Sequence, residues 1–478
     1  MRMLRLAMLS LLLLAAARAQ ATPVSFSEQI QPLLDAKVAA LIAEPGLDLS
    51  SWDGLVAGSE VGQVVVPFSA KHSLLYQVTE DQAAITDAER ALLRDWIDDG
   101  ARSDEGVVPY ADAEHRLYVG NQAEASVSII DMDRNVLMRV VDLQALGFSE
   151  NAKPHHTAVE PDGAHWYVSL IGESKVLKFD RDHNLVGQVD FETPGMLAMD
   201  PTADRLYVAR SMMAVNPPRR VGVIERSSMG LEEVDVFFAR PHALVVNPVQ
   251  GYAYTASLTE NRLASLPLGE EDIEALTRLE GTLHTLVQFA VSPDGQTLVA
   301  GGQMTGDFLI FDLADPGNPE LVATLDLGAM PWHPTFTPDG RFVYVGNQAA
   351  NTISVIDMET RTLAHTISGE GLAEPHGIAS SPDGRFVYVS NRNLKSTYLP
   401  RSHRLMHGEG GHAMMDKPED ATEEQTMDHS GHGAMDHAAM MSMVPDLNGT
   451  VVVIDTATQE IVRVIEVGAY PSGMSAEL

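Results

Sequence analysis

The 478-residue sequence contains no cysteine and sets 32 Lys and Arg against 66 Asp and Glu, a formal net charge of −34. Without thiols there is no disulfide scaffold, no thiolate metal site, no iron–sulfur cluster, no cysteine nucleophile, no lipid-anchored cysteine and no thioether-linked haem. So acidic a chain is also unsuited to nucleic acid, whose binding rests on neutralising phosphates, and suits a soluble, monodisperse protein or one that attracts cations.

Arg2 and Arg5 precede an apolar run over 9–17, followed by Ala17-Arg18-Ala19. This is the pattern of a cleavable secretory signal, expected over 1–19. The run is shorter than the ~20 residues that span a bilayer, so no membrane span is expected. The expected location is periplasmic or secreted.

Residues 22–105 read as a small helical domain. Ser25-Phe26-Ser27-Glu28 and Thr86-Asp87-Ala88-Glu89 have the form of capping boxes. The second opens a helix with Leu92, Leu93, Trp96 and Ile97 on one face, stopped by Gly100. The order of Gly46-Leu47-Asp48-Leu49, Ser51-Trp52, Val65-Val66-Pro67, Ser73-Leu74-Leu75 and Trp96-Ile97-Asp98-Asp99-Gly100 resembles the planctomycete-type cytochrome c domain. The resemblance implies a haem-attachment motif after the first helix, where this chain has Val38-Ala39-Ala40-Leu41-Ile42, and an axial Met in a loop that here has none. The domain is therefore read as a degenerate member with no covalent haem c.

From 107 to 478 the chain repeats at roughly 40–50 residues, with four short strands per repeat, the signature of a β-propeller. Anchor residues fall at Pro154, Pro194, Pro241, Leu286, Pro331, Pro375 and Pro471, and turn prolines follow at a fixed distance, at Pro161, Pro201, Pro248 and Pro338. Seven anchors predict seven blades. The first repeat lacks an inner strand and the last anchor has only that strand, so the C-terminal strand is expected to close the ring. Tyr118-Val119-Gly120-Asn121, Tyr344-Val345-Gly346-Asn347 and Tyr388-Val389-Ser390-Asn391 resemble the YVTN/surface-layer propeller family. The fold class is thus mainly β: a seven-bladed propeller preceded by a small α-helical cytochrome c-like domain.

The residues after the anchors stand near one mouth of the central channel. They include His155, His156, His242, His333 and His376, with His284 close by. Neutral imidazoles converging on one axis suit copper or zinc; packing between strands is the alternative. Lys153, Arg210, Arg240 and Arg392 fall on the same face, as an anion clamp or as local charge balance. Asp131, Asp180, Asp312, Asp357 and Asp455 recur at strand ends and are read as turn residues.

The interval from Pro375 to Pro471 is about twice the others, which predicts an insertion over 396–447 in blade seven, on that same face. It carries His403, His407, His412, His429, His432 and His437 together with Met406, Met414, Met415, Met427, Met435, Met440, Met441 and Met443. Thioether and imidazole donors together favour copper over zinc, and such tracts resemble those of exported copper-resistance proteins. A solvated loop is the alternative.

No phosphate loop, Gly-x-Ser-x-Gly or His-Glu-x-x-His motif is present. The leading expectation is an exported metal-binding propeller in copper trafficking, storage or tolerance. Two others stay open. One is a redox or electron-transfer protein with a noncovalent haem or copper centre, an oxidoreductase if an enzyme at all; a cytochrome domain ahead of a propeller resembles the plan of haem-containing nitrite reductases. The other is a scaffold that docks another exported protein or redox partner.

Overall fold

The computed structural model describes residues 24–211, 219–407 and 447–477. The expected signal segment and most of the insertion lie outside these residues. The chain forms two compact units, which meet in sequence at Ala111 and Asp112. Among the described residues no helix is long and apolar enough to cross a membrane.

The N-terminal unit is built of short helical pieces around Phe26, Ile30, Leu34, Leu75, Leu93, Trp96 and Ile97, all buried. Its longest helix among the described residues, α1 (Asp87–Asp98), starts at Thr86 with a complete capping box: the Thr86 side chain accepts the Glu89 N–H, and the Glu89 carboxylate accepts the Thr86 N–H. Ser25 is only half a box. Its hydroxyl accepts the Glu28 N–H, but Gln29, not Glu28, returns a bond to the Ser25 N–H. The helical turn it opens is wide, with the Ile30 N–H also reaching the Ser25 carbonyl at 3.3 Å. That shift moves the reciprocal position one residue along.

The second unit is a seven-bladed propeller, seven antiparallel sheets of four strands each. The inner strands are Pro471–Ala476, Pro154–Val159, Pro194–Asp200, Pro241–Asn247, Leu286–Val291, Pro331–Phe336 and Pro375–Ser380. Every anchor read from the sequence starts one. Pro471–Ala476 pairs antiparallel with Arg116–Asn121, so the C-terminal strand closes blade one and removes two open sheet edges.

The repeated Tyr-Val-Gly-Asn has a physical reading. A Cβ on Gly120 would stand 3.0 Å from the Pro154 carbonyl oxygen, and one on Gly346 would stand 2.9 Å from the Pro375 side chain. The next blade's anchor passes too close for any side chain there. The Asn121 amide donates to the Ser126 and Ser128 hydroxyls, and Asn347 does the same to Thr352 and Ser354, tying second strand to third. The recurrent aspartates are turn residues: Asp357 Oδ1 accepts the Glu359 and Thr360 N–H groups, and Asp455 Oδ1 those of Ala457 and Thr458.

Candidate functional site at the channel mouth

Each inner strand shifts register immediately after its anchor. In blade two Pro154 pairs with Leu170 and Thr157 with Val168, so His155 and His156 together oppose Ser169 alone. Trp332 and His333 likewise oppose Gly346, and His376 and Gly377 oppose Ser390. Such a bulge breaks the alternation of side chains that a regular strand would impose. Adjacent residues can then both serve the channel. Hydroxyls hold the bulges: Ser169 accepts the His156 N–H and donates to the Gly195 carbonyl, and Ser390 accepts the Gly377 N–H and donates to the Ser472 carbonyl.

The five histidines named from the sequence come together. Ring centroids lie 6.0 Å apart for His155–His242 and for His155–His376, 4.7 Å for His333–His376 and 6.4 Å for His156–His333. All five are buried, none more than 8% exposed. Gly473 makes room for them, since a Cβ there would fall 2.3 Å from His156 Cδ2. His284 does not join; its Nδ1 is held by Thr305 Oγ1 at 3.0 Å and Asp307 at 3.2 Å.

Burial sets the charge of this group. It brings the His156 imidazole down to about 4, helped by His242. His333 and His376 are held well below the usual range, first by burial and then by neighbouring imidazoles and the Arg392 guanidinium. His156, His333 and His376 are therefore neutral at pH 7. His242 Nδ1 donates to the Val287 carbonyl at 2.8 Å, which fixes the tautomer with its lone pair on Nε2. His156 Nδ1 accepts the Leu197 N–H at 3.4 Å, which puts its proton on Nε2.

Two residues at the mouth were not singled out as its centre by sequence. Trp332 lies 5.2 Å from His376, ring to ring, and is 1% exposed. Arg392 covers it, 5.3 Å from the Trp332 ring and 4.6 Å from that of Tyr470. Of the other basic residues of this face, Arg210 is consumed structurally: it pairs with Glu233, donates to the Glu192 carbonyl and stacks on Phe191. Along the inner strands a cavity of about 610 Å³ is lined by His156 and His333 and walled by Val245, Phe289, Phe336, Ile378 and Met474.

The insertion leaves blade seven between Phe386–Asn391 and Thr450–Asp455, at the end where Asn391 pairs with Pro375. It thus springs from the histidine mouth. Its first part includes a short helix, α2 (Arg401–His407), on which His403 and His407 stand one turn apart with rings 4.7 Å from each other. Met406 lies on the same helix. His412, His429, His432, His437, Met414, Met415, Met427, Met435, Met440, Met441 and Met443 lie outside the described residues. Among those described, no group of three or more acidic or histidine side chains has metal-holding geometry.

A family model described as lactonase, 7-bladed β-propeller, matches residues 186–403. No curated protein matches the chain. Among solved structures, a functionally unknown protein from Desulfotomaculum acetoxidans is 11% identical with a TM-score of 0.54, covering 76% of this chain and 99% of its own. A 6-phosphogluconolactonase candidate from Bacteroides fragilis is 13% identical with a TM-score of 0.52, covering 76% and 98%. Hydrazine synthase of Kuenenia stuttgartiensis is 21% identical over 50% of this chain and 74% of its own, at a TM-score of 0.44. What the chain shares with the first two structures is a fold, and the family model gives that fold as the seven-bladed propeller.

Proposed function

We propose that this chain is an exported metal-binding propeller that handles copper. The observation that carries the reading is five buried imidazoles, three of them held neutral at pH 7, at the channel end from which a Met/His-rich insertion departs. Neutral imidazole is the form that ligates, and a ring nitrogen oriented by a carbonyl, as in His242, is the usual support of a ligating histidine. The His403–His407 pair, one helical turn apart, has the spacing of a two-point imidazole clamp. Methionine thioethers in the rest of the insertion select Cu(I). In this reading the insertion captures the ion and the channel histidines hold it. The N-terminal unit, without thiols for haem, serves as a docking module.

Titration of the metal-free full chain with Cu(I) against a chromophoric competitor tests this. Deleting 402–443 is expected to lower stoichiometry, and His333→Gln with His376→Gln to remove a tighter site. If neither changes stoichiometry or affinity, the reading is wrong. A visible spectrum of protein from its own host separates it from a noncovalent haem protein.

A second reading rests on the family-model match, which spans His242, His333 and His376. It makes the channel a site of lactone hydrolysis, with a neutral imidazole as general base for water. Turnover of a lactone by the metal-free protein, lost in the same histidine variants, would support it.

A further inference from the structure

The channel mouth holds a buried cation with no hydrogen-bond partner among the described residues. Arg392 is 4% exposed, yet its Nε–H has no hydrogen-bond partner and no hydrogen bond from its guanidinium reaches any described residue. Its charge is felt by the buried Glu374 carboxylate, but no hydrogen bond joins the two: Oε2 accepts the Leu394 N–H at 2.7 Å, and Oε1, 3.7 Å from Lys395 Nζ, has no hydrogen-bond partner. Beneath Arg392, the Trp332 indole N–H is also buried without a partner, as are His376 Nδ1 and His333 Nε2. Buried polar groups are almost always bonded, and an orphaned guanidinium is among the costliest to leave unmet. Rings lie near the guanidinium on the Trp332 and Tyr470 sides, and its Nε and one terminal nitrogen form a fork that suits two oxygens.

We propose that the channel mouth binds a small oxyanion, a carboxylate or a phosphate, on the edge of Arg392, with the Trp332 N–H as a further donor and His376 beside it. This site is distinct from the metal reading, because a guanidinium and an indole N–H are hydrogen-bond donors and do not ligate metal. The two are also compatible. An anion on Arg392 would offset the repulsion that a cation on the adjacent histidines would feel.

The test uses the full chain, freed of metal and dialysed into a buffer without oxyanions. Calorimetry and thermal melting are followed with inorganic phosphate and, separately, with acetate. Saturable binding of either below about 10 mM, with a rise in Tm, is expected, and whichever anion binds identifies the geometry the fork takes. Arg392→Lys keeps the charge without the fork and should weaken binding about tenfold or more. Arg392→Met removes the buried charge. It should melt at or above the wild-type temperature without anion, and its melting should no longer respond to anion. No saturable binding of either anion to the wild-type chain, or undiminished binding to Arg392→Met, would overturn the proposal.

Discussion

The buried neutral histidines make the propeller sensitive to acid in a way that one residue can report. His156 is 8% exposed and its imidazole titrates at about 4 in the folded protein, against 6.5 for the unperturbed group. Above pH 6.5 it is neutral in both states and costs nothing. Below that, the unfolded chain takes up a proton that the folded channel refuses. Stability therefore falls as pH falls, by about 1.4 kcal/mol per unit, until the folded group itself titrates near 4. The full loss from this one residue is about 3 kcal/mol. His333 and His376 are shifted in the same direction and steepen the decline. The assay is urea unfolding of metal-free protein between about pH 7 and 4.5, followed by the circular dichroism of the strands. His156→Gln keeps an acceptor for the Leu197 N–H but cannot protonate. Its stability should fall less steeply than wild type, by close to one proton. Carboxylate protonation contributes to both proteins and cancels in the comparison. Parallel pH profiles would refute the reasoning, because they would mean that His156 protonates as readily folded as unfolded.

Other expectations are simpler to state. Gly473→Ala places a methyl 2.3 Å from His156 Cδ2 and 2.7 Å from the His155 carbonyl oxygen, so it should lower the propeller's stability by about 1–3 kcal/mol in chemical denaturation. Thr86→Ala removes one half of the α1 capping box and should cost the N-terminal unit about 1 kcal/mol, read as a lower midpoint for that unit. Removal of 471–478 strips blade one of its inner strand and bares the edge of Arg116–Asn121; size-exclusion chromatography should then show aggregated rather than monodisperse protein.

The propeller was legible because its punctuation is local. A proline or leucine anchor, a turn proline at fixed distance and a Tyr-Val-Gly-Asn are each short-range signals, and their recurrence gave away blade number, ring closure and the two strands of blade seven between which the insertion falls. The bulges were not legible. Nothing in Pro154-His155-His156 announces that two residues will face one partner, and simple alternation would have separated His155 from His156. Arg392 was visible only as one of several basic residues on a face. What distinguishes it from Arg210 is the partner each finds, Glu233 for Arg210 and two aromatic rings for Arg392, and those partners come from distant strands. The same limit applies to His284, whose sequence position matches the cluster but whose ring is taken by Thr305 and Asp307. At Ser25 the box motif was sound in form, but the width of the following turn passed the reciprocal bond to Gln29.

The closing strand also sets the order of events during folding. Five blades are made from strands that are near neighbours in sequence, each able to form as soon as its repeat exists, and blade seven differs only by the insertion between its second and third strands. Blade one is different: the Ser472 hydroxyl donates to the His155 carbonyl across 317 positions of the chain. Contacts of such separation form late, because a long loop must be gathered before they stabilise anything. The two His-bearing bulges that flank this strand, in blades two and seven, can settle only when it docks. The channel mouth is thus the last part of the propeller to mature, and a nascent chain cannot present it until residue 476 has been made. Any ligand that requires the full set of histidines will meet only finished molecules.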